Sequence, residues 1–144
     1  MILRDIFIQI LQDAEHVGNL TIPLNPVSCP RPRVTRWGVY YPKKYTTWKA
    51  AALDACPCGQ LRLEDPLLVL VEHVLHRPKK PSNPYPAPDL DNFDKSAYDA
   101  VTSLNGYWQD DKQVVTGMSW KRYARTGEEP GTNIEFYKMN EKIL

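Results

Sequence analysis

The stretch Pro66-Leu67-Leu68-Val69-Leu70-Val71-Glu72-His73-Val74-Leu75-His76 decides the fold. Leu67 to Val71 and Val74 are large or β-branched apolar groups in a nearly continuous run rather than an alternating one. A strand of that composition is buried on both faces.

The flanking segments supply its neighbours. Upstream, Lys44 to Ala55 reads as a helix with Tyr45, Trp48, Ala52 and Leu53 on its inner face, closed by Gly59. Downstream, Phe93, Ala97, Ala100, Val101 and Leu104 fall at i, i+4, i+7, i+8 and i+11, a clean helix face. Asp91 or Asn92 is the expected N-cap, and Asn105-Gly106 the stop. Val114–Tyr123 and Asn133–Lys138 read as two closing strands joined through Gly127-Glu128-Glu129-Pro130-Gly131. Leu20–Leu24, ending in a proline-marked edge, and Gly38–Tyr41 are further short strands. The expected fold is α+β: a single domain, with a mixed β-sheet packed with helices.

Two segments are set apart by proline. Residues 25–36 hold Pro26, Pro30 and Pro32, which make them extended and stiff. Residues 77–88 hold Pro78, Pro81, Pro84, Pro86 and Pro88, a loop expected to stay outside the core. At the N-terminus, Ile2, Leu3, Ile6, Phe7, Ile10 and Leu11 recur at helical spacing. This predicts an amphipathic helix over 2–15 that stops near Gly18-Asn19. Its polar face has no basic cluster, so packing or subunit contact suits it better than a membrane. We divide the chain into this extension, residues 1–18, and a main domain, residues 19–144.

At 144 residues, 42% hydrophobic and 24% charged, the chain has the composition of an ordinary globular domain. No apolar run is long enough to span a bilayer, and the acid at Asp5 is unlike a signal peptide, so a cytoplasmic location is expected. Cys29, Cys56 and Cys58 are too few for a disulfide framework. Cys56-Pro57-Cys58 also lacks the usual zinc spacing, so we read the thiols as reduced and partly buried. His73 and His76, in or beside the buried strand, read as structural.

The net charge of +1 hides a segregation. Asn19 to Leu53 contains no acid but holds Arg31, Arg33, Arg36, Lys43, Lys44 and Lys49. Pro88 to Asp111 sets Asp89, Asp91, Asp94, Asp99, Asp110 and Asp111 against Lys95 alone. Asp89 and Asp91 follow a proline loop and precede a helix; on extended backbone both would face one point. Asp110-Asp111 arrive one helix and a turn later. Carboxylates that converge repel unless cations lie between them. Hard oxygen donors select Mg²⁺ or Mn²⁺, ions that bind phosphates and activate water. Against this, each Asp alone is a helix cap or an i, i+4 surface ion pair with Lys95. A calcium loop is excluded, because Asp94 stands where it needs Gly and Ala100 where it needs Glu.

Asp89-Leu90-Asp91-Asn92-Phe93-Asp94-Lys95, then Asp99-Ala100-Val101-Thr102, then Trp108-Gln109-Asp110-Asp111-Lys112-Gln113-Val114 resembles the RusA-type Holliday junction resolvases of bacteria and their prophages. Pro30-Arg31-Pro32-Arg33-Val34-Thr35 and Tyr41-Pro42-Lys43-Lys44-Tyr45 resemble that family's amino-terminal block, so the likeness spans about residues 20–138. It implies a RusA-like endonuclease domain over 19–144, a homodimer, Mg²⁺ (Mn²⁺ substituting), and paired nicking of four-way DNA junctions. By position, Asp89, Asp91, Lys95 and Asp111 match its catalytic residues, with Asp110 a further candidate metal ligand beside Asp111. The N-terminal helix is not part of that pattern.

Arg31, Arg33, Arg36, Lys43 and Lys44 are the candidate DNA contacts, positive charge for a phosphate backbone. Trp37, Tyr40 and Tyr41 lie among them. They either stack on exposed bases or belong to the core, and the sequence leaves both open. A related flap or fork nuclease and a catalytically silent DNA-binding module are the rival readings.

Overall fold

In the computed structural model, which describes residues 2–144, the apolar run forms the centre of the fold. Strand β4, Leu67–Leu75, lies between two partners in a four-stranded sheet of order β1-β6-β4-β5. The outer strands are β1, Glu15–Ile22, and β5, Val114–Tyr123; β6 is Gly131–Lys138. β4 runs parallel to β5 and antiparallel to β6, while β1 is antiparallel to β6, so the sheet is mixed as expected. The closing strands β5 and β6 do not pair with each other, because β4 separates them.

Helices α2, Lys43–Ala55, and α3, Leu90–Leu104, pack against each other and share the core with the sheet. Tyr45, Trp48 and Ala52 of α2 are buried, as are Phe93, Ala97, Ala100, Val101 and Leu104 of α3. They meet Leu20, Ile22, Leu67, Val69, Val71, Ile134 and Phe136 from the strands. Odd-numbered β4 residues thus face the helices. On the opposite face Leu70, Glu72, Met118, Trp120, Asn133 and Glu135 line a shallow cleft.

Several boundaries differ from expectation. The N-terminal helix, α1, covers only Leu3–Asp13, and residues 15–18 belong to β1 instead. The division placed at 18/19 therefore falls inside a strand, whose register slips between His16 and Gly18. Pairing with β6 decides this: Glu15 and His16 face Lys138 and Tyr137 across the ladder. None of the residues of α1 is buried. Leu53 is exposed rather than inward. Pro86 is fully buried, so the proline loop does enter the core.

Helix α2 ends at Cys56, and Gly59 has a different task. Its backbone passes against Gly106, where a Cβ added to Gly106 would lie 2.0 Å from the Gly59 oxygen. Gly106 also has a φ of +82, so two constraints require glycine there. Hydrogen bonds from Gly59 N to Asn105 O and from Arg62 N to Gly106 O fasten the loop after α2 to the end of α3.

Candidate active site

Helix α3 begins earlier than its apolar pattern predicts, at Leu90, with Asp89 as N-cap rather than Asp91 or Asn92. Asp89 is extended and Asp91 lies in the first helical turn, so the extended-chain alignment of these two carboxylates does not apply. The Asp89 side chain makes no cap hydrogen bond. Both acids are exposed. Their approach is fixed from β5, where Lys121 Nζ donates to the Pro88 carbonyl at 2.7 Å and lies 5.7 Å from the Tyr85 ring centroid.

One turn along, Lys95 pairs with Asp99 at 3.5 Å and, among the described residues, with no other carboxylate. Tyr45 of α2 donates to the same Asp99 oxygen at 3.0 Å. Burial and this bond push the Tyr45 phenol up, so it remains a donor. The Asp99 charge raises the Lys95 ammonium as well, which keeps it protonated.

Asp110 and Asp111 sit at a single 3₁₀ turn, Asp111–Gln113, that contacts α3. Asp111 is pushed above the ordinary carboxylate range, first by desolvation, then by its hydrogen bond and charge repulsion with Asp110 and by the Asp99 charge. Asp110 is pushed down, because the same hydrogen bond favours its ionised form. The turn is shaped by Gln113. Its Oε1 accepts the backbone N–H groups of Gln109 at 2.7 Å and Asp110 at 3.0 Å. Its Nε2 donates to the carbonyls of Leu63 at 2.9 Å and Asp65 at 3.1 Å.

Asp94, on the sheet side of α3, accepts from Ser119 at 2.7 Å and lies 2.7 Å from buried His73 Nε2. His73 Nδ1 meets Thr132 at 3.3 Å. This chain ties α3 to β4, β5 and β6. It makes His73 structural, as expected. All three cysteines are free thiols, with Cys29 and Cys56 buried and Cys58 exposed.

The basic segment is tethered to the same helix turn. Cys29 N–H donates to the Asn92 carbonyl at 2.9 Å, and Ser96 Oγ donates to the Val27 carbonyl at 2.6 Å. A cleft lined by Ser28, Pro30, Lys44, Pro88 and Phe93, among others, separates the two and holds about 210 Å³. Arg31, Arg33, Arg36, Lys43 and Lys44 are all exposed. None joins an ion pair among the described residues.

The donor chemistry fits a hard divalent cation, since the carboxylates near the turn of α3 are oxygen donors and the Asp110-Asp111 pair is short of positive charge. No preformed cage exists: among the described residues, no three His, Cys, Asp or Glu side chains stand close enough to hold a metal. Mg²⁺ is characteristically bound by one or two carboxylates plus water and phosphate, so the two facts are compatible.

The sequence reading missed Asp94, Gln113, Ser96 and Lys121 as positioning groups, and Tyr45 as more than core. Asp94, Gln113 and Tyr45 lie within the motifs that carry the resemblance, whereas Ser96 and Lys121 lie outside them. No helix is long and apolar enough to cross a membrane among the described residues. No individually curated protein matches the chain. A family model, described as Endodeoxyribonuclease RusA, matches residues 23–137 and takes in every candidate site residue above. The resemblance read from the motifs therefore holds across most of the chain, and the protein belongs to the RusA endodeoxyribonuclease family.

Proposed function

We propose that this endonuclease resolves four-way DNA junctions by paired nicks, depends on Mg²⁺ with Mn²⁺ able to substitute, and works as a homodimer in recombination and repair. One observation carries the reading. The acidic amino end of α3 is tethered at Asn92 and Ser96 to a basic segment whose charges form no ion pair among the described residues.

In the proposed reaction, water attacks phosphorus and the bridging oxygen leaves. When bound, a divalent cation would neutralise charge on the phosphate and make a coordinated water more acidic. Asp89, Asp91 and Asp111, with Asp110 beside it, are the residues that would hold it. Lys95, kept cationic by Asp99, offsets charge gathering on the phosphate. The amino end of α3 adds its partial positive charge at the same place. Tyr45 steadies Asp99 and, through it, Lys95. The exposed arginines and lysines hold flanking phosphates. A four-way junction is approximately two-fold symmetric, so a two-fold pair of chains would bring two sites to opposing strands.

The test is a nicking assay on synthetic four-way, three-way, flap and linear DNA with Mg²⁺, Mn²⁺ or a chelator. Symmetrical nicks on the four-way substrate alone, lost with the chelator and in Asp91→Asn, are expected. Preferential flap cutting would replace the junction reading, and full cleavage by Asp91→Asn would remove Asp91 from the site.

A further inference from the structure

Strands β2, Arg33–Thr35, and β3, Gly38–Tyr40, form a hairpin with Arg36-Trp37 at its turn. Every one of its residues is exposed. Val34 shows 79% of its surface, Trp37 75%, Val39 58% and Tyr40 53%. A two-stranded ribbon gains little stability by itself, and apolar groups gathered on an exposed element commonly mark a binding surface.

The tip is nevertheless shaped. Thr35 Oγ1 donates to the Gly38 carbonyl at 3.3 Å and accepts the Trp37 N–H at 3.2 Å. Tyr40 donates to the Trp37 carbonyl at 3.4 Å. The Arg36 guanidinium lies over the Trp37 ring, 4.7 Å from its centroid, so a phosphate-binding charge stands against an aromatic side chain that is itself mostly exposed. The hairpin springs from the segment fastened to the first turns of α3 at Cys29 and Val27, so its root is fixed relative to Asp89 and Asp91.

We propose that this hairpin reads the branch point: Trp37 stacks on a base left uncovered where duplex arms meet, and Arg33 and Arg36 take the adjoining phosphates. The proposal rests on the branched-DNA reading above. A continuous duplex keeps its base faces covered by its own stacking, and only a branch, gap or end offers one to an aromatic ring. Phosphates are alike on both substrates and carry no such distinction. Trp37 therefore supplies preference for branched DNA, and the arginines supply affinity for any DNA.

The test compares wild type, Trp37→Ala, Trp37→Phe and Arg36→Ala without divalent cations, on a four-way junction and a linear duplex of equal length. Fluorescence anisotropy gives affinity at several salt concentrations, and 2-aminopurine at the branch reports stacking. Trp37→Ala should weaken junction binding about tenfold, leave duplex binding unchanged, and abolish the 2-aminopurine response. Trp37→Phe should restore most of the loss. The salt slope should stay constant in Trp37→Ala and fall by about 1 in Arg36→Ala. Equal weakening on both substrates, or no weakening on the junction, overturns the proposal while junction cleavage by wild type keeps the endonuclease reading intact. Absence of junction preference and of Mg²⁺-dependent cleavage in wild type overturns both.

Discussion

Lys121, on β5, donates to the carbonyl of Pro88, so the residue immediately before Asp89 is held by a strand that itself lies outside the acidic cluster. The proline loop thus ends at a defined place. Lys121→Ala should leave the fold intact and lower single-turnover cleavage roughly three- to tenfold, the range of one net hydrogen bond of ~0.5–1.5 kcal/mol. Junction affinity measured without metal should change less than the rate. An unchanged rate would show that Asp89 needs no such support.

Gln113 satisfies four backbone groups with one side chain. Gln113→Ala should destabilise by about 2–4 kcal/mol, since two N–H groups and two carbonyls lose their partner. Gln113→Glu retains the acceptor toward Gln109 and Asp110, loses the donor toward Leu63 and Asp65, and brings another negative charge to Asp110 and Asp111. It should cut more slowly than its loss of stability explains. Urea melts paired with cleavage rates at low urea separate the two effects.

Asp94→Ala leaves the buried ring of His73 and the hydroxyl of Ser119 without their common partner. A loss of about 2–3 kcal/mol is expected from these unmade bonds. The readout is thermal or urea unfolding, with hydrogen exchange in α3 accelerated more than in β6. A variant as stable as wild type would show that the helix is held by apolar packing alone.

Arg122 grips Glu128 through both guanidinium ends and also reaches Glu72. The Arg122 hydrogen bonds, with that of the Arg125 N–H, lower Glu128 from 4.5 to about 2. A depressed acid stabilises the fold above its unfolded value, so this contribution is present above pH 4.5 and fades as pH falls toward about 2. Glu128→Gln should flatten the acid limb of a stability–pH curve in that window and leave its shape above pH 6 unchanged. An identical acid limb in both proteins would contradict the assignment.

The central strand and the two core helices were legible because their signals are local: a continuous apolar run for β4 and a clean i, i+4, i+7 face for α3. Boundaries were not. Helix α3 starts at Leu90 with Asp89 as its N-cap, although Asp91 and Asn92 are equally good caps by residue type, and β1 takes residues 15–18 because β6 offers them partners. Pairing partners lie far away in the chain, and no local pattern encodes them. The carboxylates and Lys95 were legible as a motif, but their supports were not. Ser119 and Lys121 act through single bonds to distant segments, and Gln113 ties its own turn to the Leu63 and Asp65 carbonyls; such bonds leave no periodic trace. The aromatics of residues 37–41 were assigned only by the structure, where Trp37, Tyr40 and Tyr41 are all exposed.

The position of β6 has a kinetic consequence. It is the bridge between β1 and β4, so residues 15–22 and 67–75 have no ladder to share until residues 131–138 are synthesised and inserted. Every contact of β1 in the sheet then spans more than a hundred residues, which favours slow, late closure. Until that moment a nascent chain shows two unpaired edges, and this interval is when it is most exposed to aggregation and to proteases.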